Sequence, residues 1–313
     1  MKMRELQKLL QALPVPATSD QQEMIMEYLQ SLGFDLSNTY QELEMESVYV
    51  DTHRDASYAN AALQLHSHDF YEILCCTSNC NVEYLVGPRR YRLQKGDIVV
   101  VPPSVSHRPI LPENMREPYL RNVLWISNRF MELLCQFSSD FPIDNDRNTD
   151  LLRTAGTQWE FLPELIHRGV TESESRLLNW EAAVIGNTVT VLTHLDRAFR
   201  DRNTIPLSAE KPELLDQVMA YVERYYAQPI SLSFIARTFY VSSSTISHLF
   251  QLKLGVSFHR YVTQRRLIAA KDRIARGELL ENVSQAVGFT DYSAFYRAFK
   301  GEYGISPRQY RQL

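Results

Sequence analysis

The sequence predicts a multidomain α+β protein, in which a strand-rich region is flanked by helices and followed by an all-α region. Short alternating or β-branched runs, punctuated by glycine and proline, occupy residues 47 to about 127. Residues 213–313 show helical periodicity throughout and contain an internal repeat. The charge also differs along the chain: residues 212–313 carry 13 Lys and Arg against 8 Asp and Glu, whereas residues 1–211 carry 20 against 29. A basic carboxyl-terminal region attached to an acidic body suggests a nucleic-acid partner.

The bulk composition is that of an ordinary globular protein, with 313 residues, 44% hydrophobic and 22% charged. No apolar run approaches the ~18 to 20 residues of a membrane span. The amino-terminal MKMRELQKLLQAL lacks the apolar stretch of a signal peptide. Four cysteines, Cys75, Cys76, Cys80 and Cys135, lack the spacing of a disulfide framework. We therefore expect a cytoplasmic protein with reduced cysteines and no membrane partner; a zinc or redox cluster of Cys75, Cys76 and Cys80 is the alternative.

Four stretches can be separated along the chain. Residues 1–46 predict a helical extension of two short amphipathic helices. Residues 47–200 form the strand-rich domain and end in helices, and residues 201–212 are a polar, proline-bearing linker. Residues 213–313 are the helical domain.

An apolar row recurs every seven residues near the end of the second stretch, at Leu178, Ile185, Leu192 and Phe199. A heptad of this kind is typical of a helix that pairs with a second helix. The same spacing suits a helix that packs on its own domain. Both interpretations, a dimer seam and an intradomain helix, remain open from the sequence.

The repeat aligns LFQLKLGVSFHRY (249–261) with AFKGEYGISPRQY (298–310), so that Gly255 matches Gly304. Each copy predicts a helix, a tight turn and a second helix. A repeated helix–turn–helix unit inside a basic domain is stronger evidence for a DNA partner than the positive charge of the domain alone.

The second helix of each copy is predicted at Ser243–Lys253 and at Tyr292–Tyr303, with Ser242 and Asp291 as the N-cap residues. Apolar residues on each helix keep the spacing of a buried face. The opposite faces carry hydrogen-bonding and basic groups, which are what reading of base edges in the major groove requires. The candidate DNA-binding residues are Ser243, Ser244, Ser247, His248 and Gln251 in the first helix, and Tyr292, Ser293, Tyr296, Arg297 and Lys300 in the second.

LIAAKDRI and VGFTDYSAFYRAFKGEYGISPRQYR, with the paired turns, resemble the DNA-binding domain of the AraC/XylS family of bacterial transcription regulators. The resemblance implies two helix–turn–helix units joined by one long helix, here roughly Ser257–Arg276. It also implies that Arg266 on that helix is structural. The residues whose positions match base-contacting positions of the family are Ser244, Ser247 and His248, then Tyr292, Ser293, Tyr296 and Arg297.

HSHDFYE, which begins at residue 66, places His66, His68 and Glu72 on one face of an extended strand, because side chains two residues apart point the same way. Imidazole and carboxylate together suit zinc, iron, nickel or manganese. The pattern therefore raises the possibility of a metal site.

LHSHDFYEI and GDIVVVPPSVSH resemble the two sequence motifs of cupins. The resemblance implies a cupin-like β-barrel that serves as a sensor domain, with His107 beside the histidines of the first motif. Three interpretations of His66, His68, Glu72 and His107 stay open: they bind a small polar effector, they bind a metal within the sensor, or they are structural. Tyr71 and Trp125 are neighbouring candidates, and barrel mouths are ordinary sites for small molecules.

We therefore predict a sequence-specific DNA-binding transcription regulator, either an activator or a repressor, controlled by a small-molecule effector in the cupin-like domain. The alternative is a metal-dependent cupin enzyme fused to a DNA-binding domain, and a third possibility is a regulator with no effector. No catalytic residue and no cofactor are expected, although a bound transition metal is possible. The expected partners are a double-stranded DNA operator, a sugar or other polar metabolite, RNA polymerase for activation, and a second copy of the chain in a homodimer.

Overall fold

The computed structural model describes residues 45–57, 65–79, 82–112, 115, 117–137, 150–201 and 212–312. Within these ranges, 45–57 and 68–201 form one compact unit, and 212–312 with 65–67 form another. The predicted helices of 1–46 and the predicted linker at 201–212 lie almost entirely outside the described residues. The α+β multidomain prediction is confirmed, because a β-rich unit precedes a helical one.

The first unit contains two antiparallel sheets. Its strands are β1 (Val50–Ser57), β2 (Tyr71–Cys76), β3 (Glu83–Val86), β4 (Arg89–Arg92), β5 (Ile98–Val101), β6 (His107–Ile110), β7 (Tyr119–Ile126) and β8 (Leu151–Leu152). The large sheet has the order β1-β7-β2-β5-β8, and the small sheet has the order β4-β3-β6.

One face of the large sheet packs on three helices, α1 (Asn128–Cys135), α2 (Leu162–Ser175) and α3 (Trp180–Arg200). Ile73 and Cys75 alternate along β2 and both face this side. Together with Ile166 of α2 and Leu192 of α3 they belong to one apolar core. Because residues two apart share a face, Glu72 must point to the other side of the sheet, toward the small sheet.

The closed barrel predicted from the cupin resemblance is not formed by the described residues. No hydrogen-bonded pairing joins the large sheet to the small sheet among the described strands. The small sheet has strands of four residues, and Pro109 in β6 lacks a backbone N–H for a further ladder bond. The two sheets instead meet through side chains, as His107 of β6 contacts Glu72 of β2.

The apolar heptad row packs inside its own unit. Leu192 is fully buried in the core, and Ile185, Val189 and Phe199 lie partly buried against it. Leu178 precedes α3 and is 92% exposed. This burial favours the intradomain helix over the dimer seam.

Among the described residues, Cys75 and Cys76 do not belong to a group that could hold a metal ion. Cys75 and Cys76 are buried, whereas Cys135 is exposed, and all three are free thiols. Burial, together with the nearby charge of Asp97, raises the pKa of the Cys75 thiol to about 12. A thiol that stays protonated is a poor metal ligand and a poor nucleophile. Cys80 lies outside the described residues.

The second unit is helical throughout. Its helices are α4 (Leu214–Tyr225), α5 (Leu232–Thr238), α6 (Ser243–Leu254), α7 (Phe258–Ala275), α8 (Leu280–Ala286), α9 (Tyr292–Tyr303) and α10 (Pro307–Tyr310). Helices α5 and α6 form the first helix–turn–helix unit, α8 and α9 form the second, and α7 lies between them in the chain.

Both copies of the repeat begin and end their second helix in the same way. The Ser242 hydroxyl accepts a hydrogen bond from the Thr245 N–H, and an Asp291 carboxylate oxygen accepts one from the Ala294 N–H. Such caps satisfy amide groups that have no partner within the helix. Gly255 follows α6 and Gly304 follows α9 as the C-cap residue, both with positive φ. The aligned glycines therefore mark equivalent helix ends.

Arg266 of α7 is structural, as the resemblance implied. Its Nε donates to the Tyr226 carbonyl at 2.8 Å, and one terminal nitrogen donates to the Gln228 carbonyl at 2.9 Å. These bonds hold the turn after α4 against α7. Among the described residues, no helix combines the length and the apolar character that crossing a membrane requires.

Candidate functional site

Three of the four predicted effector residues converge between the two sheets. Glu72 lies on β2, His107 opens β6, and His68 lies in the segment that leads into β2. Their exposed fractions are 5%, 0% and 2%, so the cluster is buried. His66 is half-buried and belongs to the segment that groups with the second unit, so its part in the site stays a prediction.

Glu72 is the centre of this cluster. Its Oε2 lies 2.9 Å from His107 Nε2 and 3.5 Å from His68 Nε2. Trp125 Nε1 donates a hydrogen bond of 2.7 Å to the other oxygen, Oε1. A single carboxylate therefore faces two imidazoles on one side and an indole on the other.

The Nδ1 atom of each imidazole contacts a backbone carbonyl oxygen, and this contact determines that Nδ1 is protonated. His68 Nδ1 lies 2.8 Å from the Phe70 carbonyl oxygen, and His107 Nδ1 lies 2.9 Å from the Val105 carbonyl oxygen. A carbonyl can only accept, so each Nδ1 carries a proton. Nε2 of each ring faces the Glu72 carboxylate, and the 2.9 Å contact between His107 Nε2 and Glu72 Oε2 is short enough for a hydrogen bond, which requires a proton between the two atoms.

Burial sets the charge of the cluster. Burial lowers the pKa of His68, and contact with Glu72 only partly offsets this. Burial alone would raise the pKa of Glu72, but the neighbouring His107 and His68 outweigh it and hold that pKa well below its usual value. The two imidazoles therefore stabilise the negative charge of the buried Glu72 carboxylate.

The two neighbouring candidates behave differently. Trp125 is 3% exposed and bonds to Glu72, so it belongs to the cluster. Tyr71 is adjacent to Glu72 in β2 and points to the opposite face, where it packs on the helix-covered core. Tyr71 is therefore not a site residue, because neighbours in a strand face opposite sides of the sheet.

A second polar group shares the interior face of the large sheet, and the sequence analysis missed it. Arg121 on β7 pairs with Asp55 on β1, at 3.0 Å, and donates to Ser57 at 2.9 Å. His53 lies edge-on to the Trp125 ring, with 4.7 Å between centroids. The alternation Asp51, His53, Asp55 was visible in the sequence, but only the pairing with β7 shows which face it occupies.

The Asp55–Arg121 pair predicts a pH-dependent stability. Burial would raise the pKa of Asp55, but Arg121 and His53 outweigh it and hold that pKa at about 2, below the ordinary 3.8. A lowered carboxyl pKa stabilises the fold above the ordinary value, and this stabilisation is lost as pH falls through about 2. A shift of this size corresponds to roughly 2 kcal/mol. We expect urea unfolding to show Asp55→Asn less stable than wild type near neutral pH, with the difference shrinking between pH 3.8 and about 2. A difference that is equal at every pH would contradict this assignment.

The predicted DNA-reading faces are exposed on both second helices. In α6, Ile246 and Phe250 are buried, whereas Ser244, Ser247, His248 and Gln251 are exposed and Ser243 is half-buried. In α9, Phe295 and Phe299 are buried, whereas Ser293, Tyr296, Arg297 and Lys300 are exposed and Tyr292 is half-buried. Each helix therefore keeps its apolar side in the core and leaves its polar groups exposed. The cations of this set, Arg297 and Lys300, lie on α9.

Comparison with known proteins identifies both units. The model of the AraC-like ligand binding domain matches residues 51–135, and that of a helix-turn-helix domain matches residues 235–313, together more than half of the chain. The chain belongs to the AraC family of transcription regulators. As an AraC-family protein it is a ligand-regulated, DNA-binding transcription regulator.

Curated AraC-family relatives are similar over most of the chain. The HTH-type transcriptional activator RhaS of Enterobacter sp. (strain 638) is 23% identical over 256 residues, which covers 80% of this chain and 88% of RhaS. The probable transcriptional regulator LumQ of Photobacterium leiognathi is 33% identical over 113 residues, which covers 35% of this chain and 46% of LumQ. Wild-type ToxT of Vibrio cholerae, solved with a bound unsaturated fatty acid, is 14% identical with a TM-score of 0.36, and the match covers 86% of this chain and 97% of ToxT. These curated relatives of the AraC-family chain are transcription regulators.

Proposed function

We propose that α6 and α9 are the recognition helices, and that α9 contributes more of the direct base reading. The support is the exposed polar face of each helix and the position of Arg297 and Lys300 on α9. Arginine is the side chain best suited to bidentate contact with guanine, while serine hydroxyls and a histidine discriminate less. The Ser242 and Ser244 hydroxyls of the first unit are also only 2.7 Å apart, so they partly satisfy each other.

Arg297→Ala tests this proposal. We expect it to weaken binding to the specific operator by about 1 to 3 kcal/mol and to change binding to random DNA much less, because a base contact carries the sequence information. Electrophoretic mobility shift of the full chain, at one fixed salt concentration, measures both affinities. Arg276→Ala, an exposed arginine at the end of α7, is the matched control and should leave both nearly unchanged. Equal losses on both DNAs for Arg297→Ala would make it a phosphate contact.

We propose further that the effector binds at His68, Glu72 and His107, with His66 as a predicted fourth contact. The observation that carries this is the convergence of the cluster: Nε2 of His68 and Nε2 of His107 lie 3.5 Å and 2.9 Å from the Glu72 carboxylate, and Nδ1 of each imidazole is held by a carbonyl. A few convergent polar groups in an otherwise apolar interior are typical of a small-molecule site. A ligand of this kind acts by binding one arrangement of the protein better than another.

Glu72→Gln tests the effector site, since the amide keeps the shape and replaces one acceptor oxygen by a donor. In cells that carry the wild-type protein, we expect the effector to change the transcript levels of the target genes. In cells that carry Glu72→Gln, we expect this response to the effector to be lost. Operator affinity of the ligand-free protein should not change, because Glu72 lies in the other unit from the recognition helices. His68→Ala should act in the same direction. Unaltered transcription in both variants would make the cluster structural.

A transition metal is the second candidate for this site. Metal-bound histidines usually donate their second ring nitrogen to a carbonyl or carboxylate, and both imidazoles have such a partner here. The donor set of imidazole and carboxylate fits zinc, iron, nickel or manganese, and the ligand atoms of Glu72 and His107 are close enough to share one ion. Glu72 and His107 would hold it, with His66 and His68 as predicted further ligands, and the metal would supply a Lewis-acidic contact for the effector.

Metal analysis of protein purified without a histidine tag separates the two candidates. Near-stoichiometric metal that is lost in Glu72→Gln would support the metal-containing sensor. Metal-free protein that keeps its transcriptional response would support direct contact between the effector and these side chains. Turnover of a bound small molecule would instead support the cupin-enzyme alternative, which we do not propose, since the curated relatives are transcription regulators.

We also propose that the protein acts in the cytoplasm as a homodimeric activator that contacts RNA polymerase. The curated relative RhaS is named a transcriptional activator, which supports the direction of regulation. Sedimentation of the full chain measures the dimer, and transcription with purified polymerase measures activation.

A further inference from the structure

The turn of the first helix–turn–helix unit carries an exposed tyrosine. Tyr240 lies between α5 and α6, two residues before the N-cap residue Ser242, and it is 95% exposed. Exposure alone indicates no function, because single apolar side chains are common on protein surfaces. The backbone conformation and the surroundings of Tyr240 distinguish it from such residues.

The backbone of Tyr240 is strained. Its φ is +56°, in the left-handed region that residues with bulky side chains rarely adopt. The equivalent residue in the turn of the second unit is Gly288. In each turn the N–H of this residue bonds to the carbonyl three residues earlier, and the next N–H bonds to the carbonyl five residues earlier. Glycine adopts positive φ without steric cost, so the tyrosine lowers stability in a way that its counterpart does not.

The side chain of Tyr240 contributes little to the packing of its own unit. At Gly288 an added Cβ would lie 2.6 Å from the Ala227 carbonyl oxygen, so that turn has no room for a side chain. At Tyr240 the ring extends into solvent instead. The fold therefore gains little from the ring, while the backbone conformation lowers stability. Strained residues of this kind cluster at functional sites, which suggests that the ring contacts a partner.

The charges around the first helix–turn–helix unit favour an anionic partner. Residues 224–271, which contain α5, α6 and most of α7, have seven Lys and Arg and no Asp or Glu. Arg237 is exposed in the last turn of α5, three residues before Tyr240. By contrast, the candidate base-reading residues of α6 are three serines, a histidine and a glutamine, without lysine or arginine. Since phosphate contacts supply much of the affinity for DNA, we expect residues beside α6 to supply them.

We propose that the Tyr240 hydroxyl donates a hydrogen bond to a DNA phosphate at the edge of the groove that α6 enters. This inference rests on the proposed role of α6 and α9 as recognition helices. Because the N-terminal residues of a recognition helix lie in the major groove, the turn before the helix lies near the phosphates that border the groove. Tyrosine is among the side chains that bond to phosphate oxygens, and such contacts position a protein on DNA without reading its sequence.

The test compares Tyr240→Phe and Tyr240→Gly with wild type in the full chain. The probes are a random-sequence duplex and a duplex selected from a randomised pool by binding to the wild-type protein. We expect Tyr240→Phe to weaken binding to both duplexes by a similar factor, about 3- to 10-fold, which is the effect of one lost hydrogen bond. The slope of affinity against salt concentration should stay the same, because a neutral hydroxyl releases no counterion.

Two further variants separate DNA contact from stability. Tyr240→Gly should bind both duplexes at least as weakly as Tyr240→Phe, although it should unfold at a higher temperature than wild type because the strain is removed. Tyr225→Phe is the matched control, since Tyr225 is a half-buried tyrosine on α4. It should leave binding to both duplexes unchanged.

Each contrary outcome overturns a defined part. If Tyr240→Phe binds both duplexes like wild type while Arg297→Ala still loses affinity for the selected duplex, the recognition helices stand and only the Tyr240 contact fails. If neither variant alters binding, the proposed recognition helices and this inference fail together. A loss on the selected duplex alone would make the hydroxyl a base contact and overturn the phosphate assignment. Unchanged DNA affinity with weaker activation of purified polymerase would assign Tyr240 to a protein contact and overturn the inference.

Discussion

Gly288→Ala is expected to destroy the second helix–turn–helix unit and, with it, operator binding. Gly288 lies between α8 and α9 with φ +92°, a conformation that residues with a side chain rarely adopt. An added Cβ would lie 2.6 Å from the Ala227 carbonyl oxygen and 2.9 Å from Ala227 Cα. These are backbone atoms, so no side-chain rotation relieves the overlap. We expect a loss of about 3 kcal/mol or more from strain and overlap combined.

Chemical unfolding of the full chain and an operator-binding assay measure these two effects. Gly301→Ala is the matched control, because Gly301 lies in the interior of α9 and an added Cβ would meet nothing within 4 Å. Alanine there should stabilise the helix by about 1 kcal/mol and leave operator binding intact. A Gly288→Ala protein as stable as wild type would show that the turn can move away from Ala227.

Leu192→Asp is expected to unfold the first unit rather than to dissociate a dimer. Leu192 is fully buried on α3, within the core that joins this helix to the large sheet. Aspartate at that position would be a buried carboxylate without a partner, and the apolar contacts of leucine would also be lost. Removing the leucine contacts alone costs about 2 to 5 kcal/mol, and burying the polar group adds to this.

Circular dichroism and sedimentation of the same samples distinguish the two roles of the heptad. Leu178→Asp is the control from the same row, since Leu178 is 92% exposed and its replacement should leave stability within about 0.5 kcal/mol of wild type. A folded Leu192→Asp protein with half the wild-type mass would instead support the interpretation of the heptad as a dimer interface.

The helix–turn–helix repeat could be predicted from the sequence because its signals are local. The caps at Ser242 and Asp291 and the glycines at 255 and 304 specify helix ends within a few residues of themselves. Helix α9 accordingly runs over Tyr292–Tyr303 as expected.

The same locality explains what the sequence predicted of the effector cluster. His68 and Glu72 are close neighbours in the chain, and the cupin resemblance supplied His107. Asp55 and Arg121 come from strands far apart in the sequence, and only the register of β1 with β7 brings them to one face. The sequence could not establish a closed barrel, because alternating strands suit an open sheet equally well. It could not establish the role of the heptad either, because an apolar row every seven residues suits a helix buried in its own domain as well as a helix at a dimer interface.

The turn at residues 226–228 has a consequence for the operator. Arg266 of α7 bonds to the carbonyls of Tyr226 and Gln228, and Gly288 before α9 lies against Ala227 between them. One short turn thus anchors the middle helix and the segment that leads into α9. A movement of α9 relative to α7 would break these contacts. Since we propose that α6 and α9 both read DNA, we expect an operator lengthened by a few base pairs between the two contacted segments to bind more weakly than the natural one.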